Sequence, residues 1–114
     1  MHVPRDAVLL RIFIGEADRH GGKPLYEAIV MKARELHLAG ATVLRGPMGF
    51  GASSRIHTAK ILRLSEDLPF VIEIADAEEK IDAFLPVLDE MMGSGLVTLE
   101  KVKVLQYGKP GTGT

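Results

Sequence analysis

Residues 69–107, PFVIEIADAEEKIDAFLPVLDEMMGSGLVTLEKVKVLQY, read as a strand, a helix and a second strand in one run. PFVIEIAD (69–76) reads as extended. Asp76 then opens a helix, with Glu79 three residues later completing a capping box. Ile81, Phe84, Leu85, Leu88 and Met92 form one apolar stripe at helical spacing. Pro86 falls inside that helix and should kink it or remove one hydrogen bond. Gly93-Ser94-Gly95 ends the helix, and LVTLEKVKVLQY (96–107) is the last strand.

Working toward the N-terminus, the same pattern recurs. AVLLRIFI (7–14) is a strand with Val8, Leu10, Ile12 and Ile14 on one face and Leu9, Arg11 and Phe13 on the other. A turn-rich connector, GEADRHGGK, leads to Pro24 at a first helical position. Leu25, Ile29, Ala33 and Leu36 mark a helix over 24–39, widened by Tyr26 and Val30, with Gly40 as its stop. ATVLR (41–45) is the next strand, and GPMGFGASSRIHT (46–58) is a glycine-rich loop. AKILRL (59–64) reads as extended, cut from the 69–76 strand by Ser65-Glu66-Asp67.

Two strand–helix–strand units in succession predict an α+β, ferredoxin-like βαββαβ sandwich. It has one four-stranded antiparallel sheet with both helices on the same face. Leu9, Phe13, Val71, Val97 and Leu99 are expected to make the other face apolar, so it should pack on further copies of the chain. The covering of that face by loops is the competing expectation.

Composition sets outer bounds. With 114 residues, 46% hydrophobic and 25% charged, one domain over 1–108 with a flexible 109–114 tail is expected. No apolar run is long enough to span a membrane, so no membrane insertion is expected. The absence of cysteine excludes disulfides, zinc-thiolate sites and a cysteine nucleophile, and fits a reducing cytoplasm. A near-zero net charge of -1 and few aromatics argue against nucleic acid as a partner.

That net charge hides a division. Residues 41–65 hold Arg45, Arg55, Lys60 and Arg63 and no acid, whereas residues 66–90 hold nine acids against Lys80 alone. The basic stretch coincides with the glycine-rich loop. Glycines let backbone N–H groups turn inward, and arginines present forked donors to phosphate or carboxylate. Ser53, Ser54 and His57 add donors, which makes Arg45, Arg55 and the loop glycines a candidate anion site. A solvated hairpin loop is the alternative. Nucleotide hydrolysis is not expected, because Ala52 stands where a P-loop needs lysine. No two histidines are paired at metal-ligand spacing, and no nucleophile–base–orienter set emerges, so a binding protein rather than an enzyme is expected. Met48, Met91 and Met92 read as packing residues.

LLRIFIGEADRHGGKPLYEAIV, AGATVLRGPMGFGASSRIHTAKILRLSEDLP, VIEIADAEEKI and GLVTLEKVKVLQY resemble the PII-like family catalogued as domain of unknown function family 190. The resemblance covers nearly the whole chain and implies a homotrimer whose sheets line the centre. It implies adenine nucleotides bound in clefts between subunits, and a protein partner engaged through the 46–58 loop. Carried over by position, Arg45, Gly46, Gly49, Phe50 and Gly51 lie at the base and stem of that loop, and Gly95 and Thr98 stand at a second phosphate-contacting turn. A small anion, with an adenine nucleotide as the candidate, is thus the expected ligand of a PII-like regulator. A metal-binding trimer resembling the CutA branch, with His57 and acidic residues as ligands, is the alternative.

Overall fold

A computed structural model describes residues 3–49, the 57–58 backbone and residues 68–108. Along the chain run β1 (Asp6–Gly15), β2 (Arg19–His20), β3 (Lys23–Pro24), α1 (Leu25–Glu35), β4 (Thr42–Arg45), β5 (Met48–Gly49), β6 (His57–Thr58), β7 (Pro69–Asp76), α2 (Glu78–Met91) and β8 (Leu96–Lys103). The main sheet has the order β4-β7-β1-β8 with every neighbour antiparallel. This is the ferredoxin-like arrangement that the two strand–helix–strand units predict. Among the described residues no helix is long and apolar enough to cross a membrane. The strand expected over 59–64 and the 109–114 tail lie outside the described residues.

One face of the sheet is a continuous core. Val8, Leu10, Ile12 and Ile14 of β1 and Phe70, Ile72 and Ile74 of β7 are buried against Leu25, Ile29 and Ala33 of α1 and Ile81, Phe84 and Leu88 of α2. The directly opposed pairs Leu10↔Ile74 and Ile12↔Ile72 place branched side chains side by side, the contact that stabilises a half-buried sheet. Tyr26 meets Phe70 edge-to-face at 4.5 Å between ring centres. Pro86 sits inside α2 and has no N–H to give the Asp82 carbonyl, so it removes one helical bond as expected.

Several local expectations shift. Pro24 caps α1 rather than starting it, and the helix stops at Glu35 instead of continuing to 39. His37 adopts a left-handed φ of 63°, its N–H bonds the Arg34 carbonyl, and Leu38 N–H bonds the Ala33 carbonyl. That pair of bonds is a Schellman closure, normally made with glycine. It turns Leu36 outward and brings Leu38 into the core in its place. The Asp76–Glu79 capping box does not form, because Asp76 is the last residue of β7 and Ala77 is the cap. Asp76 is instead fully buried, with Oδ1 accepting from Ala77 N (2.7 Å) and Oδ2 from Ala39 N (2.9 Å). Lys80 Nζ lies 3.7 Å from the same carboxylate and also donates to the His37 carbonyl. The last strand ends at Lys103 rather than 107. Beyond it Val104 N bonds the Arg5 carbonyl, and the Tyr107 hydroxyl donates to the Ala39 carbonyl at 2.6 Å.

The second sheet face carries an apolar row beside a charged one, and the membership of the apolar row differs from expectation. Val97 and Leu99 oppose Ile12 and Leu10, so they point to the helix side, where edge strand β8 is left exposed. Leu44 and Leu96 take their place on the open face, where Leu44, Val71, Phe13 and Leu96 form one row across all four strands. Leu44 is 50% and Leu96 56% exposed. In the next row Arg11 donates from Nε to Glu73 (3.0 Å) and from Nη1 to Glu100 (2.9 Å). The Glu73 bond is the main reason the Arg11 pKa is raised; partial burial opposes it and Glu100 reinforces it.

Candidate functional site at the base of the 46–58 loop

The end of β4 and the turn after β1 are both tied to the start of β7. Gly46 N donates to the Pro69 carbonyl and Glu16 N to the Leu68 carbonyl, each at 2.7 Å. Pro69 also explains two of the loop glycines. A Cβ on Gly46 would lie 2.9 Å from Pro69 Cγ, and one on Gly49 would lie 3.0 Å from the same atom. Backbone therefore wraps closely over the proline ring, as only glycine allows without displacement. β5 and β6 then close the stem, with Met48 opposite Thr58 and Gly49 opposite His57. Met48 is exposed within this chain, so its expected packing role is not met here.

This framework fixes Arg45. Its backbone opposes Phe70, and its guanidinium Nη2 donates to Glu16 Oε1 at 3.0 Å. The arginine side chain is 55% exposed and the glutamate 27%. An exposed guanidinium held by a single carboxylate oxygen keeps further N–H donors for an anion. Glu16 was not legible as part of the site. It follows β1 in a turn, and only the pairing of β1 and β4 to opposite sides of β7 brings it to Arg45.

Of the remaining expected ligand residues, Phe50, Gly51, Ser54 and Arg55 lie outside the described residues, and for His57 only the backbone is described. Gly95 precedes β8 with φ of +147°, and a Cβ there would lie 2.7 Å from the Phe13 carbonyl oxygen, so packing by itself already requires glycine. It borders a groove of about 730 Å³ between α2 and β8, flanked by Asp82, Asp89, Leu85, Met92 and Val97. No lysine or arginine lines this groove among the described residues, so its own field disfavours an anion. Thr98 is exposed on the open face opposite Arg11.

The structure thus divides the expected set. Arg45, Gly46 and Gly49 sit at the β4 edge of the sheet, while Gly95 and Thr98 belong to the β8 edge. Three strand spacings separate the edges, roughly 14 Å. Among the described residues no three histidine or carboxylate side chains come together as a metal site.

Comparison with known proteins agrees with this architecture. The model of the DUF190 family, described as uncharacterized ACR, matches residues 7–104. A UPF0166 protein of Aquifex aeolicus is 44% identical over 99 residues, covering 85% of this chain and 91% of that protein. The UPF0166 protein MJ1524 of Methanocaldococcus jannaschii is 35% identical over 94 residues, covering 82% of this chain and 86% of that protein. Among solved structures, CPII, a nitrogen regulatory PII-like protein from Thiomonas intermedia K12 bound to ADP, AMP and bicarbonate, superposes with a TM-score of 0.60. It is 18% identical, and the match covers 89% of this chain and 90% of that one. CutA1 from Oryza sativa matches with a TM-score of 0.52 at 12% identity, covering 93% of this chain and 85% of that one. With the family match spanning nearly every strand and helix and two close relatives beside it, the chain belongs to the DUF190 family and has a PII-like α+β fold.

Proposed function

We propose that this protein is a PII-like regulator that binds a small anion, with an adenine nucleotide as the candidate, and acts by binding rather than by catalysis. The observation that carries this reading is Arg45, half-exposed beside Gly46 and Gly49 at the root of an acid-free segment. In this reading Arg45 supplies the charge, Gly46 and Gly49 let the backbone pass close over Pro69, and Gly51, Ser54, Arg55 and His57 are the further ligand residues expected from the 46–58 loop. Phe50 belongs to the same expected set. The binding of ADP, AMP and bicarbonate by CPII, a protein of the same fold, lends support.

The site lies between subunits of a homotrimer. Arg45 and the Gly95–Thr98 segment lie on opposite edges of one sheet, and in this reading β8 of a second copy brings Gly95 and Thr98 to the cleft. Association through the open face would cover Leu44 and Leu96. Ligand binding changes the affinity of the 46–58 loop for a protein partner in the cytoplasm.

Calorimetry with ADP, AMP and bicarbonate, run on the wild type and on Arg45→Ala, tests the reading. Saturable binding that the variant weakens at least tenfold is expected. Equal binding by both proteins, or none by the wild type, overturns it.

A further inference from the structure

The basic segment contains no acid of its own, yet the fold brings one to it. Glu16 reaches Arg45 from 29 positions earlier in the chain, and its carboxylate takes up Nη2, one of the guanidinium donors open to an anion. The placement is anchored, because Glu16 and Gly46 hang by 2.7 Å backbone bonds from the adjacent carbonyls of Leu68 and Pro69. The pair is therefore set by the backbone, while its side chains remain partly open to solvent.

We infer that Glu16 is an internal competitor for the anion site. Its carboxylate holds Arg45 Nη2 in the empty protein, and an incoming phosphate or carboxylate competes with it for that donor. This rests on the anion-binding reading of Arg45 given above. A charged oxygen of the protein and one of the ligand cannot share one arginine without mutual repulsion, so Glu16 lowers affinity and rejects weakly held anions. Exchange remains feasible because an exposed ion pair contributes little to stability.

The test measures ADP, AMP and bicarbonate binding by calorimetry to wild type, Glu16→Gln, Arg45→Ala and the double variant. Thermal melts of Glu16→Gln and of the shorter Glu16→Ala verify that each is folded. Glu16→Gln keeps the shape and removes the charge; it should bind ADP about 3–5-fold tighter, the range expected for release of an exposed ion pair. The gain should vanish when Arg45 is alanine. Wild-type binding that depends on Arg45 but is unchanged or weakened in both Glu16 variants overturns it, leaving the anion site standing. Absence of binding in every variant overturns the anion site, and the competitor with it.

Discussion

The two ends of β7 use a carboxylate in opposite ways. At the C-terminal end Asp76 is fully buried, and both of its oxygens accept backbone N–H bonds from Ala77 and Ala39 while Lys80 stands near. Tyr107 closes the same corner through the Ala39 carbonyl. At the N-terminal end Glu16 meets Arg45 in a single, partly exposed contact beside Pro69. A buried charge whose partners are all fixed holds structure, because moving it strands several polar groups. An exposed pair with spare donors can exchange partners. The fold thus anchors one end of the strand and leaves the other available for binding.

Substitutions that separate these roles range from large to small in their effect on stability. Asp76→Ala should cost about 3 kcal/mol or more in chemical denaturation, because two backbone N–H groups lose their acceptor and Lys80 loses its ion-pair partner. If that loss is under about 1 kcal/mol, the contrast between the two ends fails. Gly46→Ala should cost about 1–2 kcal/mol, since the new Cβ meets Pro69 Cγ at 2.9 Å and the loop root must give. Tyr107→Phe removes one hydrogen bond, and a loss of about 1 kcal/mol is expected in the same assay. Arg45→Ala should shift stability by less than about 0.5 kcal/mol while weakening ADP binding at least tenfold. A large stability loss there would make the Arg45 end structural too.

The open sheet face offers a separate measurement. Leu96→Asp places a charge in the exposed Leu44–Val71–Phe13–Leu96 row. On the proposal of a homotrimer joined through this face, it should reduce the mass seen by light scattering from trimer to monomer without unfolding the chain. An unchanged mass would move the contact between copies away from this face.

Much of the fold was legible because it depends on period and punctuation. Val8 through Ile14 alternate, Ile81 through Met92 repeat at helical spacing, and Gly93-Ser94-Gly95 stops the second helix. The errors fell where a neighbour distant in sequence decided the outcome. The end of α1 moved because Leu38, not Leu36, fits the core once His37 turns left-handed. Asp76 looked like a cap, but Ala39 N–H competed for it. Val97 and Leu99 were assigned to the wrong face because only the register against Ile12 and Leu10 decides that parity. At the site Arg45 and the loop glycines stood out by composition, whereas Glu16 carried no local signal.

The sequence by itself determined the order of strands and helices, the apolar nature of both sheet faces, and the concentration of positive charge in residues 41–65. Those properties follow from residue type and spacing, which act within a few positions along the chain. Tertiary structure alone decided that Glu16 meets Arg45, that Asp76 is sealed by Ala39, and that the two halves of the expected site lie on opposite sheet edges. These are consequences of strand order and register, set by packing and hydrogen bonding between segments far apart in the chain.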